Sequence, residues 1–225
     1  MSSRAYLAEL WPATGVRIRS GDLELRWIDD DLLASLAEVA ARGVHDAASM
    51  PFNHPWTRGT PAEVARSVLA FQWSARTRAT GTGDLALELG VLVGGVPVGV
   101  QSASGRDWRV CRSVETGSWL GREFHGRGIG SRMRAALAWA FFDGLGARQL
   151  TSSAFVDNPA SLSVSRRIGY EPNGVDLINR EGTAVRQQRF LLTRERWEER
   201  RQDHLRLLGA PVELTGFEAL RAHLD

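Results

Sequence analysis

The chain has 225 residues, and its apolar content of 43% is normal for a soluble globular protein with a full hydrophobic core. All 28 basic residues are arginine and are nearly balanced by 26 acidic residues, so the net charge of +2 does not favour nucleic acid as a partner. The single cysteine, Cys111, excludes an intrachain disulfide. The chain begins without an apolar signal core and has no run of about 18 apolar residues, so we expect a cytoplasmic protein with no membrane partner.

The first part of the chain predicts a hairpin or bent strand, two helices and a loop between them. Apolar and polar residues alternate over 16–28 on both sides of a Ser-Gly-Asp turn, which predicts a hairpin or a bent first strand. Residues 32–43 carry leucine and alanine at helical spacing, and 60–78 begin with the capping-box sequence Thr-Pro-Ala-Glu and end before the glycines of 81–83. Residues 44–59 contain two prolines and no periodicity, so they are predicted to form a long loop.

The second part predicts six strands and two helices. The strands are expected at 85–93, 96–104, 113–121, 147–156, 175–182 and 185–193, and the helices at 127–142 and from Asn158 to Gly169. A charged helix follows Trp197, and Thr215-Gly216-Phe217-Glu218 predicts another capping box. This order predicts a mixed sheet with helices on both faces, in a domain over 1–197 with a helical extension over 198–225.

A glycine-rich turn, H-G-R-G-I-G at 125–130, leads from a predicted strand into a predicted helix. Glycines let the main chain approach a bound group, and the first amides of a helix are free to bind an anion. The chain has no lysine and the wrong glycine spacing for a Walker loop or a dinucleotide fingerprint. The turn alone therefore predicts either a phosphate site or an ordinary helix entry without a ligand.

Two motifs in the right order resemble the GNAT acyltransferase superfamily. The H-G-R-G-I-G turn follows the predicted fourth strand of the sheet, where that family has its Q/R-x-x-G-x-G/A loop for the pyrophosphate of CoA. Residues 158–170, N-P-A-S-L-S-V-S-R-R-I-G-Y, resemble the family's N-x-x-S/A helix, which ends in a basic residue and Gly-Phe/Tyr. The segment E-T-G-S-W-L-G-R is similar to the RimJ/RimL-like group, and the whole resemblance covers roughly residues 15–195.

Further segments, G-V-H-D, M-P-F, P-W-T-R and F-V-D-N-P-A-S, are similar to a mycobacterial member that is assigned as succinyl-CoA-dependent. The resemblance implies a GNAT-like α/β (α+β) fold with a mixed, mostly antiparallel sheet. It also implies an N-acyltransferase that uses acetyl-CoA or succinyl-CoA without a metal, and a homodimer. The amine acceptor would be a protein N-terminus, a lysine or a small molecule.

The resemblance assigns CoA to the end of the fourth strand, the glycine turn and the start of the Asn158 helix. A bulge in that strand is expected to direct a main-chain N–H from 119–121 at the thioester oxygen, and Arg127 and Arg132 are expected near the pyrophosphate. In place of the family's Gln or Arg, the chain has His125. The implied CoA-binding residues are Trp119, Leu120, Gly121, His125, Gly126, Arg127, Gly128, Ile129, Gly130, Ser131, Asn158 and Ser161.

Two residues are candidates for proton transfer. Glu115 lies on the fourth strand and is predicted to accept a proton from the amine, directly or through water, although a carboxylate that faces solvent or pairs with arginine is an alternative. Ser165 stands where the family often has a tyrosine that protonates the departing thiolate, and a helix-surface serine is its alternative. Asn158 would cap its helix whether or not it contacts CoA.

The loop over 45–58 is expected to form a wall of the acceptor or acyl pocket. Arg58, with Trp56, would receive a carboxylate if the acyl group is succinyl, or would simply cover apolar surface. His45 and Asp46 are adjacent and do not form a metal site. The predicted substrate-binding residues are His45, Met50, Phe52, Trp56, Arg58 and Gln101.

The sequence thus predicts an acyl-CoA-dependent N-acyltransferase that moves an acetyl or succinyl group to a primary amine. A CoA-binding sensor or scaffold that has the same fold without the chemistry is the alternative, since serine is a weak acid and His125 departs from the family's loop.

Overall fold

The protein, seen here as a computed structural model that describes residues 2–79 and 83–225, is built on one nine-stranded sheet. The strands are β1 (Arg17–Ser20), β2 (Leu23–Trp27), β3 (Leu85–Val93), β4 (Val96–Gly105), β5 (Ser113–Leu120), β6 (Gln149–Phe155), β7 (Glu171–Arg180), β8 (Thr183–Thr193) and β9 (Glu213–Thr215).

Helices precede, connect and follow these strands. They are α1 (Ser3–Leu10), α2 (Asp30–Ala41), α3 (Pro61–Arg76), α4 (Trp108–Cys111), α5 (Ile129–Trp139), α6 (Pro159–Ile168), α7 (Arg194–Glu199), α8 (Arg201–Leu208) and α9 (Phe217–Leu224). A π-helical turn, Ala140–Gly144, continues α5, and short 3-10 turns occupy Pro12–Gly15 and Arg122–Phe124.

The sheet is mixed and mostly antiparallel, as the sequence predicts. The strand order is β7-β8-β6-β5-β4-β3-β2-β1-β9, and β5 and β6 form its parallel pair. Buried side chains of α2 and α3 pack against one face, while α5, α8 and α9 contribute to a larger core on the other. Helices on both faces are therefore confirmed.

The parallel pair β5–β6 is short, and this creates the main irregularity of the sheet. The two strands are in register only where Ser113–Glu115 of β5 meets Gln149–Thr151 of β6. Beyond that point the rest of β5 pairs with β4, and the rest of β6 pairs with β8. Each strand therefore presents an unpaired edge to the gap between them.

Local sequence signals explain most of the elements. The Asp29 side chain accepts a hydrogen bond from the Leu32 amide and caps α2, and Thr60 and Glu63 form the predicted reciprocal capping box of α3. Gly169 ends α6 at a φ of 99°. The predicted stop of α3 at 81–83 lies partly outside the described residues, since the structure resumes at Gly83.

The carboxyl-terminal segment contains the helices α8 and α9 and, in addition to the prediction, a short strand. Residues 213–215 form β9, which pairs with β1 at the edge of the same sheet. The predicted capping box was wrong, because Thr215 is in that strand and α9 begins after Gly216, whose φ is 78° and which has no side-chain cap. Phe217, Leu220 and Leu224 are buried in the main core. The segment is thus part of the same folded unit, and α1 and α4 are further helices that the sequence did not predict.

Candidate active site

A cleft of about 890 Å³ opens where β5 and β6 diverge. Its walls come from the unpaired parts of these strands, from the starts of α5 and α6, from the loop between α2 and α3, and from the β7–β8 hairpin. The strand divergence removes backbone partners from the middle of the sheet. The cleft is therefore lined by main-chain groups as well as by side chains.

The alternation of side chains along β5 gives the cleft two chemically different sides. Glu115, Gly117 and Trp119 point to the face that α2 and α3 cover, where Trp119 packs beside their core. Thr116 and Ser118 point to the opposite face, where both accept hydrogen bonds from Arg134 of α5. We call these the α2 face and the α5 face of the cleft.

The edge of β5 offers main-chain groups to the cleft. Gly121 N–H donates to Val98 O at 2.9 Å, which continues the β4–β5 ladder past the end of the strand. Because backbone groups alternate in direction along an antiparallel strand, the amide of Trp119 also points to β4, whereas those of Ser118 and Leu120 point to the cleft. The carbonyl of Leu120 also points away from β4, since it accepts a hydrogen bond from His125 Nε2 at 3.1 Å.

The expected bulge near the end of β5 does not occur. The register from Ser104–Glu115 to Gly99–Leu120 is continuous, so the strand is regular where the bulge was predicted. Of the three residues predicted to supply an amide at the thioester, Trp119 and Gly121 use theirs in the ladder, and Leu120 has its amide at the open edge.

The glycine turn that follows β5 forms an open helix entry. Gly126 and Gly128 have φ values of 74° and 75°, a region that residues with a side chain rarely adopt. Gly128 is the N-cap of α5 and provides no side-chain cap, so the first amides of the helix, at Ile129, Gly130 and Ser131, are not capped by the turn. Gly130 borders the cleft. These features suit an anion.

Arginines next to the turn are less available than predicted. Arg132 forms an ion pair with Asp22, and the hydrogen bond from Arg132 holds the pKa of that carboxyl below its ordinary value. Arg127 is exposed, with its guanidinium 5.7 Å from the centre of the Phe124 ring. Because its charge is already paired, Arg132 is less available to a pyrophosphate than predicted, and that contact stays a prediction.

The start of α6 forms the neighbouring wall. Asn158 Oδ1 accepts from the Ser161 amide at 3.1 Å, and both residues line the cleft. Ser165, one turn further, is fully buried and is not among the cleft-lining residues, and its hydroxyl has no hydrogen-bond partner within residues 2–79 and 83–225. It is therefore neither a surface serine nor in contact with the open part of the cleft.

Glu115 lies on the α2 face of the cleft. Its side chain is exposed, and Ser153 Oγ of β6 donates to its Oε1 at 2.8 Å. The carboxylate is therefore held across the gap between the two strands, and no arginine pairs with it among the residues that the structure describes. This is the position from which a base can reach an amine that enters from the α2 face.

The loop between α2 and α3 is held in place largely by its own side chains. His45 Nε2 lies 2.6 Å from Thr57 Oγ1 and its Nδ1 lies 2.7 Å from Asp46 O, so both ring nitrogens have partners inside the loop. Met50 and Phe52 line the cleft. Trp56 is not among the lining residues and instead packs against Phe52 and Trp119, with ring centres 5.1 and 5.7 Å apart.

Two ion pairs connect the walls of the cleft. Arg58 forms a bidentate pair with Glu181 at the tip of the β7–β8 hairpin, with distances of 2.9 and 3.0 Å. Arg180 forms a second bidentate pair with Asp157. These hydrogen bonds lower the pKa of both Glu181 and Asp157. Glu181 thus pairs with the guanidinium that was predicted to receive a substrate carboxylate, and that role of Arg58 stays a prediction.

Arg134 is a residue of the cleft that the sequence analysis did not predict. It is only 4% exposed, yet it lines the α5 face of the cleft. Gln101, which was predicted to bind substrate, is fully buried beneath the cleft and accepts a hydrogen bond from Arg134 Nε at 3.3 Å. The available signal was an arginine one turn after Gly130, on a helix whose neighbouring positions are apolar.

In the described part of the chain, no cluster of three or more His, Cys, Asp or Glu side chains is arranged to hold a metal ion. Over the same residues, no helix has the length and apolar character needed to cross a bilayer.

Comparison with known proteins gives both a sequence match and similar structures. Residues 22–171 match the acetyltransferase (GNAT) domain family. Mycobacterium smegmatis RimJ in complex with a CoA disulfide has a TM-score of 0.70 at 16% identity, and the match covers 90% of this chain and 97% of RimJ. A GCN5-related N-acetyltransferase from Brucella melitensis has a TM-score of 0.68 at 18% identity, with coverage of 85% of each chain.

RimL, a ribosomal α-N-protein acetyltransferase solved in complex with coenzyme A, has a TM-score of 0.61 at 20% identity. That match covers 77% of this chain and 95% of RimL. At these identities the similar structures establish the fold.

Proposed function

The chain belongs to the GNAT acetyltransferase family, and from this premise we propose that it transfers an acyl group from a CoA thioester directly to a primary amine. The observation that carries the proposal is the juxtaposition, in one cleft, of an uncapped helix start, an unpaired strand edge and a carboxylate. Each of these meets one requirement of acyl transfer. A held cofactor, a polarised carbonyl and a base for the amine are those requirements.

CoA binding is assigned to the turn and the adjoining strand edge. The amides of Ile129, Gly130 and Ser131 would bind the pyrophosphate, because the start of a helix carries both free N–H groups and the positive end of its dipole. Asn158 and Ser161 border the same channel from α6. The pantetheine arm would then lie along the open edge of β5, and its amides would replace the missing partner strand.

The thioester is expected next to the open amides of β5. A main-chain N–H at Leu120 or Ser118 is fixed by the ladder and costs no reorganisation when charge develops on the carbonyl oxygen. Glu115, on the α2 face, is proposed to accept the amine proton, directly or through water. The amine attacks the carbonyl carbon, the carbon–sulfur bond breaks, and the thiolate leaves with the electron pair of that bond.

Ser165 stays a predicted proton donor for this thiolate. Its side chain is buried, so the thiolate would have to approach it inside the protein. A thiol has an ordinary pKa of about 8.5, so water can also supply the proton near neutral pH. Replacement of Ser165 by alanine separates the two routes, because only the serine route loses turnover.

The donor and acceptor are proposed at the level of chemical class. Acetyl-CoA and succinyl-CoA are the candidate donors, and the acceptor is a primary amine on a protein or small molecule. A protein amino terminus is one such acceptor, since the similar protein RimL is named as an acetyltransferase of that kind. A cytoplasmic location and a homodimer likewise stay predictions, and sedimentation velocity tests the latter.

The experiment is a two-part assay on the full chain. Calorimetry measures CoA binding, and release of free CoA from acetyl-CoA and succinyl-CoA is followed across a panel of amines. Saturable binding and amine-dependent release are expected. Absence of both contradicts the proposal, whereas tight binding without release to any amine supports the sensor alternative, which membership of a transferase family does not favour.

A further inference from the structure

Arg134 is a buried cation whose hydrogen-bond acceptors are neutral side chains. Its guanidinium donates to Gln101 Oε1 at 3.3 Å, to Thr116 Oγ1 at 3.0 Å, to Ser152 Oγ at 3.1 Å and to Ser118 Oγ at 3.1 Å. All four acceptors are neutral. Within the described residues, Arg134 has no carboxylate in ion-pairing distance. It differs in this from Arg58, Arg132 and Arg180, which border the cleft or its glycine turn and each have one.

This arrangement is energetically unusual. A guanidinium remains charged at all accessible pH values, and removal of a charge from water without a counter-ion costs several kcal/mol. Neutral hydroxyl and amide dipoles offset only part of that cost. Tyr170, whose hydroxyl lies 3.1 Å from Thr116 Oγ1, is no counter-ion, because burial raises its pKa and keeps the phenol neutral. The site therefore has an unmet preference for an anion.

The location of Arg134 restricts where that anion comes from. Its partners Thr116 and Ser118 belong to β5 and Ser152 belongs to β6, so the guanidinium spans the point at which the strands diverge. Thr116 is about 13 Å along β5 from Leu120, which adjoins the glycine turn. A CoA arm that starts at the turn and follows the strand edge thus brings its acyl group to this inner end of the cleft.

The two faces of the cleft separate donor charge from acceptor charge. Arg134 is on the α5 face, with the glycine turn and α6, whereas Glu115 is on the α2 face, where the amine is proposed to enter. An anion on the acceptor would approach the Glu115 carboxylate, which repels it. An anion at the end of the acyl chain would approach Arg134.

Ser118 completes a site for a carboxylate. Its Oγ lines the cleft and accepts from Arg134, so the hydroxyl proton is free to be donated in the other direction. Ser118 O–H and the guanidinium together match the two oxygens of a carboxylate.

We propose that Arg134 and Ser118 bind the terminal carboxylate of the donor's acyl chain, so that the protein prefers a CoA thioester of a dicarboxylic acid to acetyl-CoA. This inference rests on the proposed function for the placement of CoA. It replaces Arg58 with Arg134 as the arginine that selects the acyl group.

A binding experiment tests the inference independently of turnover. Calorimetry compares succinyl-CoA with butyryl-CoA, an uncharged thioester of equal chain length, for the wild-type chain and for Arg134→Met, Ser118→Ala and Arg132→Met. We expect the wild type to bind succinyl-CoA at least about 10-fold more tightly than butyryl-CoA, and Arg134→Met to abolish that ratio. Arg132→Met, on the same helix with a paired charge, is expected to keep the ratio.

Kinetics with two donors and two acceptors identify the source of the carboxylate. Two amines serve as acceptors, one with a carboxylate and one without. With both amines, Arg134→Met should lower the ratio of kcat/KM for succinyl-CoA to kcat/KM for acetyl-CoA at least about 30-fold. A loss confined to the carboxylate-bearing amine would assign the site to the acceptor and overturn the inference. So would an equal loss with both donors, which is the signature of a purely structural arginine.

A fold control keeps the test decisive. Thermal unfolding of each variant is measured by circular dichroism, and if Arg134→Met does not fold, Ser118→Ala decides. A reduced succinyl-to-butyryl binding ratio in Ser118→Ala supports the inference, and an unchanged ratio contradicts it. CoA binding without any turnover contradicts the proposed transferase and leaves the binding ratio as a valid test, whereas no CoA binding contradicts both.

Discussion

Neighbouring side chains of β5 lie on opposite faces of one cleft, one face carrying the negative charge of Glu115 and the other the positive charge of Arg134. Glu115 accepts from Ser153 on the α2 face, and the hydroxyls of Thr116 and Ser118 accept from Arg134 on the α5 face. A strand reverses its side-chain direction at every residue, so this separation needs no additional element. It allows one short strand to supply both the proposed base and the polar surface proposed for the acyl donor.

Replacement of Glu115 by glutamine removes the proposed base while its size and the contact with Ser153 are retained. We expect kcat to fall by about 100-fold or more, with the dissociation constant of CoA changed by less than about twofold, because the carboxylate lies away from the glycine turn. Stopped-time CoA release and calorimetry measure the two quantities. Glu123→Gln, an exposed glutamate paired with Arg42, is the matched control. An unchanged kcat would remove Glu115 from the mechanism.

Glu88 is a second notable carboxyl, away from the cleft. Burial between β3 and α3 raises its pKa from 4.5 to about 7, against the opposing effects of a 3.4 Å hydrogen bond from Gln72 and the charge of Arg78. A pKa raised by folding stabilises the protein fully below about pH 4.5, and that contribution is lost as the pH rises through 7.

The difference in unfolding free energy between wild type and Glu88→Gln should therefore depend on pH. Relative to the variant, the wild type is expected to lose of the order of 2 kcal/mol between pH 5 and pH 8, because the half-buried carboxyl must lose its proton in the folded state. Urea unfolding at a series of pH values measures this difference. Glu218→Gln, at an exposed position of α9, is the control variant, and a flat difference for Glu88→Gln would show that burial does not control this carboxyl.

At the scale of elements, the turn between β5 and α5 joins the strand edge to the helix start. Gly126 and Gly128 adopt φ values of 74° and 75°, and a Cβ at either would meet no atom within 4 Å. Glycine is therefore needed there for backbone conformation and for the space that a bound group would fill. Gly99 has a different role, because a Cβ there would lie 2.1 Å from Trp119 O in the neighbouring strand.

Gly128→Ala tests whether the open space is a binding site. The substitution strains the backbone by about 1–2 kcal/mol, and its methyl group projects into the region assigned to the pyrophosphate. We expect the dissociation constant of CoA to rise at least about 10-fold, as measured by calorimetry. Gly209→Ala is the matched control, since Gly209 also has a φ of 75°, also has no neighbour within 4 Å and ends α8. Equal CoA affinity in the two variants would contradict the assignment.

At the scale of the whole molecule, the carboxyl-terminal segment adds the edge strand β9 to the sheet. β9 pairs with β1, and Phe217 of α9 is buried in the core that α5 and α8 share. Arg112 also forms an ion pair with Asp225, and this pair lowers the pKa of Asp225. The last residues are therefore expected to contribute to global stability and not to a separate unit.

Phe217→Ala measures that contribution. Removal of a fully packed aromatic side chain should cost about 3–5 kcal/mol of unfolding free energy in urea, through lost burial and the cavity that remains. Phe71→Ala is the control, since Phe71 of α3 is 51% exposed and should cost less than about 1 kcal/mol. A small effect at Phe217 would indicate that the carboxyl-terminal segment unfolds separately from the sheet.

The sequence by itself determined the features whose causes are local in the chain. The capping box of α3, the Asn158 cap of α6, the glycine turn before α5 and the alternating strands all depend on residues a few positions apart, and the structure confirms each of them. Position within that order also favours a phosphate site over an ordinary helix entry as the interpretation of the glycine turn.

Only the tertiary structure decided the features that depend on which distant segments meet. The residues next to Arg58 in the sequence do not indicate a partner for its charge. In the fold the charge is paired, because Glu181 is brought to it from a distant part of the chain. Arg134 is the opposite case. The side chains of β5 and β6 that contact its guanidinium in the fold are hydroxyls, and none of these contacts is a carboxylate. Short-range rules determine where side chains lie along a helix or strand. The partners of a charge depend on how the helices and strands pack together, and those partners determine the chemistry of the cleft.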